Sequence, residues 1–270
     1  MQDKLIIDTD IGTDGDDALA LAYALASGVD IALITTVHGN TQVRAKVAQH
    51  LIHLMGYTIP VIAGEQKPIK QSQIFWTGIE GYGVPAMPDL PDHGVESIIQ
   101  CVNEFKNNMS IVAIGPLTNI ALALQKDPGL EKRINHLYIM GNAVLRPTEF
   151  ILNYRAHNFK VDPEAADIVL ASKVPMTLVT TSVAKHSALS KSELNQLHNG
   201  GAASRYLASS ALYWMEFANF QEAFLYDPLV VHHFLDSDIT QKQYYGDIVI
   251  TTAMNKEFKP LVLKTLKELQ

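Results

Sequence analysis

The stretch LIIDTDIGTDGDDALALAYAL, residues 5–25, decides how the chain is read. An Ile-rich apolar run passes into five aspartates (Asp8, Asp10, Asp14, Asp16 and Asp17) and then into an Ala/Leu run of helical length. That is the order strand, turn, helix. The same alternation continues along the chain. Strands are expected at 4–8, 30–37, 59–63, 109–115, 135–141, 175–181 and 246–252. Helices are expected at 16–27, 41–55, 94–107, 116–126, 163–172, 190–198, 202–220 and 258–269. Short β-branched runs alternating with longer helical patterns mark a parallel sheet covered by helices. The fold class is therefore α/β, with an open, mostly parallel central sheet flanked by helices, in one domain spanning 1–270.

Composition narrows the function classes. The chain has 270 residues, 47% hydrophobic and 18% charged, which suits a packed core and not a disordered chain. Its formal net charge is −7, with Lys and Arg scattered, so no nucleic-acid surface is expected. The single cysteine, Cys101, excludes an intramolecular disulfide framework and fits a reducing compartment. No secretory leader pattern opens the chain, and no apolar run reaches the roughly 18 residues of a membrane span. A soluble, cytoplasmic protein without a membrane partner is expected.

Two regions break the pattern. Residues 64–93 hold most of the Gly/Pro punctuation, including WTGIEGYGVPAMPDLPDHG, and 142–162 are similarly irregular. Long loops in α/β domains are often functional, and ligands bind beyond the carboxyl ends of parallel strands. The aspartates stand at such an end, directly after KLII.

Carboxylates brought this close raise one another's pKa unless a cation compensates. An all-oxygen donor set without His/Cys spacing favours calcium or magnesium over zinc. Asp16 and Asp17 are also suited to a helix start, where acids complement the dipole, but that leaves Asp8 and Asp10 unexplained. An EF-hand loop fails, because its fifth ligand position would be Gly12 and its last Leu19. A haloacid-dehalogenase-type phosphatase would account for DTD but places Gly12 where Thr or Val is usual, and leaves Asp16-Asp17 without a role.

DTDIGTDGDDA resembles the N-terminal signature of the nucleoside hydrolases, typically D-T-D-P-G-x-D-D-A. In order follow HGN at 38–40, IPVIAG at 59–64, AIGPLTNIALAL at 113–124, HLYIMGN at 136–142, NFKVDPEAA at 158–166 and YDPL at 226–229. The resemblance implies a Rossmann-type core, a tightly held calcium (Ca2+), and hydrolysis of the N-glycosidic bond of ribonucleosides to ribose and free base. It implies that Asp10, Asp17, Asp227 and the carbonyl of Ile114 ligate the metal, that Asp16, Asn40 and Asn158 hold the ribose hydroxyls, and that Asp10 is the general base. A homodimer or homotetramer acting on a small nucleoside or ribosyl substrate is expected. From the residues alone, Asn40 also suits a turn, Asn158 a helix cap and Asp227 an N-cap before Pro228.

The chain departs from the family pattern in four places. The first loop is two residues longer, with Thr13-Asp14-Gly15 where one residue would stand, and Asp14 is left without a role. Tyr226 and Thr77 occupy positions where pyrimidine-active members carry histidines. Trp76, Tyr82 and Tyr226 are candidates for stacking a purine-type base, and Tyr226, His38 and His157 are candidates for the missing proton donor. Ala156, flanked by Arg155 and His157, replaces a glutamate at the ribose 5′ side, so a modified nucleoside or other ribosyl compound is an alternative substrate. A catalytically silent ribosyl-binding protein is a second alternative. Lastly, 236–258 is expected to keep a final strand and helix but to lack a hairpin.

Overall fold

The computed structural model describes residues 3–70, 74–235 and 240–269. Twelve strands and eleven helices are assigned among them. The first half reads β1 (Lys4–Thr9), α1 (Asp16–Ala26), β2 (Ile31–Thr36), α2 (Thr41–Leu54), β3 (Val61–Ala63), α3 (Gly94–Phe105), β4 (Met109–Ala113), α4 (Thr118–Lys126) and β5 (Ile134–Gly141). Then come β6 (Ala143–Leu145), β7 (Phe150–Leu152), α5 (His157–Val161), α6 (Pro163–Leu170), β8 (Met176–Thr180), α7 (Thr181–Ala184), β9 (Ala188–Ser190) and α8 (Lys191–Leu197). The chain ends with α9 (Ala202–Phe217), β10 (Glu222–Phe224), α10 (Tyr226–Leu235), β11 (Thr240–Tyr245), β12 (Ile248–Met254) and α11 (Phe258–Lys267).

Eight strands form one sheet in the order β11-β12-β8-β5-β4-β1-β2-β3. Every pairing is parallel except β11 with β12. Alternation along β1 divides the core: Leu5 and Ile7 face the side packed by α1, α2, α9 and α10, while Ile6 faces α3, α4 and α6. The strand order reverses between β1 and β4, and crevices that take ligands open at such a switch. There the backbones must come close. The amides of Ile114 and Gly115 donate to the Asp8 carbonyl at 2.9 and 3.3 Å, and a Cβ on Gly115 would lie 2.8 Å from the Asp10 nitrogen.

All seven expected strands and eight expected helices are present, with shifted ends. Asp162 caps α6 by accepting from the Ala165 amide at 3.1 Å, and Pro163 takes the first helical position. Pro116 does not open α4, because the helix begins at Thr118 with Leu117 as its cap.

Three expectations need correcting. The tail does carry a hairpin, β11 pairing antiparallel with β12 around Gly246; the part of that expectation falling on 236–239 lies outside the described residues. The stretch 142–162 is not irregular throughout, since β6 and β7 pair as a hairpin and α5 follows. YDPLVVHHFL, where no helix was expected, is one, α10. Residues 64–93 hold no helix or strand among those described.

Candidate active site

Beyond the ends of β1 and β4 lies a cavity of about 370 Å³. Asp10 enters it from the end of β1, Asp16 and Asp17 from the first turn of α1, Ile114 from the end of β4, Asn158 from α5, and Asp227 with Tyr226 from α10. Residues more than two hundred positions apart are brought together because β1 and β4 are neighbours and α10 packs on α1. His157 lines the same cavity, with Nε2 3.9 Å from Asp10 and its ring edge-on to Phe75.

The remaining residues singled out in the sequence stand elsewhere. Asn40 caps α2, its side chain accepting from the Val43 amide at 3.1 Å. His38 is buried in left-handed backbone (φ 66°), and its Nε2 accepts from the Phe75 amide at 3.0 Å. Burial, with Arg44 and His157 nearby, lowers its pKa to about 4, so the ring is a neutral acceptor at physiological pH. Trp76 covers the Arg44 guanidinium at 5.4 Å, and Tyr82 stacks on Tyr213 at 3.9 Å. Neither of these two rings lines the cavity, and Thr77 is turned to Glu80, donating to it from both backbone and hydroxyl.

The carboxylates are crowded and dry. Burial raises the pKa of Asp10, Asp16, Asp17 and Asp227; for Asp16 the charges of Asp14 and Asp17 push the same way, and for Asp227 those of Asp16 and Asp17. Arg44 opposes this at Asp10 and Asp17. Tyr226 is pushed to about 12 by burial and then by Asp16 and Asp14. Asp14, Asp16 and Asp17 each present a carboxylate oxygen within 4.8 Å of the others. Asp16 Oδ1 is buried without a hydrogen-bond partner among the described residues. An orphaned carboxylate oxygen in an all-oxygen cluster, in a cavity that Ile114 also lines, offers donors suited to a hard divalent cation.

The scaffold behind the acids was not legible as such. Thr9 donates to Asp17 Oδ1 while its own Oγ1 accepts from the Ile11 amide at 3.1 Å. Asp8 lies one layer deeper, fully buried, with Oδ1 accepting from Thr35 at 2.6 Å and Asn119 at 2.7 Å. Arg44 is also fully buried: its Nε donates to the His38 carbonyl at 2.7 Å and its Nη1 to the Ile11 carbonyl at 3.0 Å and to the Asp10 carbonyl. It clamps the aspartate loop. The signal available for it was its register, since Arg44 lies in the stripe of Ala48, Leu51 and Ile52 on α2. Phe75, Trp214 and Phe220 also line the cavity, and no motif marked them; Met140, from HLYIMGN, stands with them.

The lengthened loop has its own supports. Thr13 donates to Glu80 at 3.2 Å, tying it to the segment that carries Phe75. Gly15 packs on α9 so closely that a Cβ there would lie 2.8 Å from that of Ala211. Asp14 lines the cavity.

A parallel sheet with an acid-lined crevice at its switch point, a cation-ready oxygen cluster and room for a small molecule defines an α/β enzyme of small metabolites. Comparison with known proteins gives its lineage. The family model "Inosine-uridine preferring nucleoside hydrolase" matches residues 5–259. "Probable uridine nucleosidase 1" of Oryza sativa subsp. japonica is 29% identical over 84% of this chain and 75% of its own length. "Pyrimidine-specific ribonucleoside hydrolase RihA" of Salmonella paratyphi A is 30% identical over 87% of this chain and 80% of its own. Among solved structures, the "Purine-Preferring Ribonucleoside Hydrolase from Gardnerella vaginalis" superposes with a TM-score of 0.85 over 98% of each chain at 24% identity, a likeness of fold. The chain belongs to the inosine-uridine preferring nucleoside hydrolase family, and its class is that of hydrolases acting on N-glycosyl compounds.

Proposed function

We propose that the protein hydrolyses the N-glycosidic bond of a ribonucleoside, releasing ribose and free base, with calcium held by Asp10, Asp17, Asp227 and the carbonyl of Ile114. The observation that supports this most is convergence: these four residues, from three distant parts of the chain, line one cavity together with Asp16 and Asn158. A hard divalent ion there supplies the charge that lets the acids ionise together and makes a water more acidic. Asp10 takes the proton of the attacking water. Asp16 grips a ribose hydroxyl through its unpartnered oxygen. The amide nitrogen of Asn158 donates to the carbonyls of Ile114 at 2.7 Å and Met140 at 3.4 Å, which leaves its oxygen to accept from a second hydroxyl. As the C1′–N bond lengthens, positive charge grows on the sugar ring, and the surrounding carboxylates stabilise it.

Phe75, Trp214, Phe220 and Tyr226 offer ring faces to a purine-type base. Arg155 and Ala156 line the cavity where the resemblance places a glutamate, and this favours, as a second reading, a ribosyl compound altered at its 5′ side. In the same reading the chain works as one domain over 1–270, in a homodimer or homotetramer, and its buried, single Cys101 fits the cytoplasm. No helix among the described residues is long and apolar enough to cross a membrane.

The test is reducing-sugar release from a panel of purine, pyrimidine and 5′-altered ribosides, with and without chelator. Turnover is expected to vanish in Asp10→Ala and after calcium removal. Full activity in the calcium-free protein overturns the metal assignment. Cleavage of the 5′-altered compounds alone selects the second reading.

A further inference from the structure

A side pocket of about 100 Å³ adjoins the main cavity and shares Asp14, Asp16, Trp214, Phe220 and Tyr226 with it. Phe224 and Glu222 of β10 close its far side. The rings form a chain: Trp214 to Phe220 at 6.3 Å, Phe220 edge-on to Phe224 at 6.3 Å, and Phe224 stacked with Tyr226 at 5.2 Å. Ring faces carry negative quadrupole density, and here they alternate with three carboxylates. One of these, Asp16, is only 7% exposed and keeps its Oδ1 unpartnered. Among the described residues, no imidazole, ammonium, guanidinium or thiol lines the pocket. His157, the one imidazole lining the main cavity among the described residues, lies beside Asp10 and not here.

We propose that the leaving group recognised here is a base with a fixed positive charge, an N-ribosylpyridinium or a 7-alkylpurinium. The proposal rests on the N-glycoside reading above and names its substrate class. It also removes a chemical difficulty. A neutral base must be protonated as it leaves, and the wall beside it carries rings and carboxylates where the family pattern has histidine. A cationic base needs no proton. Water adds its oxygen to C1′, the C1′–N bond breaks, and the bonding pair returns to the ring nitrogen and cancels its charge. The proton lost from water goes to Asp10 and then to solvent. The products are ribose, a neutral base and one proton.

The experiment compares two inhibitors of the same shape, 1-methyl-3-carbamoylpyridinium and its neutral carbon isostere 3-methylbenzamide, in the calcium-loaded protein. The cation is expected to bind about tenfold more tightly, which is about 1.4 kcal/mol. Phe224→Leu and Glu222→Gln are each expected to shrink that ratio towards one. Hydrolysis of 1-ribosyl-3-carbamoylpyridinium is measured beside inosine. Equal inhibition constants, or a preference that survives both substitutions, overturns the proposal. Turnover of inosine with no cation preference overturns it while leaving the nucleosidase reading intact. Failure to cleave either riboside refutes the nucleosidase reading itself.

Discussion

Arg44→Met should destabilise the protein by about 3–5 kcal/mol, the range for breaking a buried charged network. Methionine keeps most of the apolar stem, so packing of the side chain on α2 changes little. What is lost is the guanidinium, which donates to the carbonyls of His38, Asp10 and Ile11 and to the Thr13 hydroxyl at 3.2 Å. Three carbonyls in a dry interior, at roughly 1–3 kcal/mol each, set a cost of about 3–9 kcal/mol. Relief from burying a full charge, one of whose nitrogens (Nη2) has no partner among the described residues, offsets part of it and brings the figure to the lower half. For a chain of this size the melting temperature should fall by roughly 6–20 °C. Urea unfolding of wild type, Arg44→Met and Arg44→Lys in calcium is the assay. Lysine should recover little, because one ammonium cannot reach carbonyls lying along two directions of a fork. A loss below about 1 kcal/mol for Met, or full rescue by Lys, refutes the clamp.

Three further outcomes are expected. Burial holds the pKa of Asp8 at about 7 against donors from Thr35 and Asn119, above its unfolded value of 3.8. Folding therefore takes up a proton between those values, and this contribution to stability is fully present below pH 3.8 and lost as pH rises through 7. Asp8→Asn, whose amide oxygen accepts the same two bonds, should remove about 2–3 kcal/mol of that decline between about pH 5 and 8, read as a wild-type minus mutant difference in urea midpoint; parallel curves refute it. Chelation should lower the melting temperature and calcium restore it, by about 2.7 kcal/mol at a hundred times the dissociation constant, and no response to calcium speaks against the cation site. Tyr226→Phe should keep activity on a neutral riboside such as inosine within about threefold, since the ring remains, whereas loss of a working proton donor there costs roughly a hundredfold or more.

How much of this was legible in the sequence depends on how local its causes are. Strands β1, β2, β4 and β8 are buried apolar runs, and their sequences show it. β11 was missed because it pairs on one side only and carries the polar run TQKQYY. The β6–β7 hairpin was missed because Val144 and Ile151 face outward, leaving no alternation to read. The acids Asp10, Asp16, Asp17 and Asp227 stand together because spaced motifs record a shared constraint. Asn40 and His38 show the limit: HGN is equally the grammar of a helix start, and here the pair cap α2 and hold the Phe75 amide. Arg44 and Trp214 act through residues far along the chain, so nothing near them in sequence reveals what they touch.

The contact of Gly15 with Ala211 sets a limit on how this enzyme can be altered. Gly15 belongs to the loop that aims Asp14 and Asp16; Ala211 lies one turn before Trp214 on the helix that supplies the aromatic wall. A single added methyl at Gly15 drives the two apart. Substitutions that retune base preference by shifting α9 will thus also move the acids, and those that reshape the acid loop will move the wall. Laboratory evolution towards a new base should therefore find its improving changes in coupled pairs across this contact, and a library that varies one side alone should stall early.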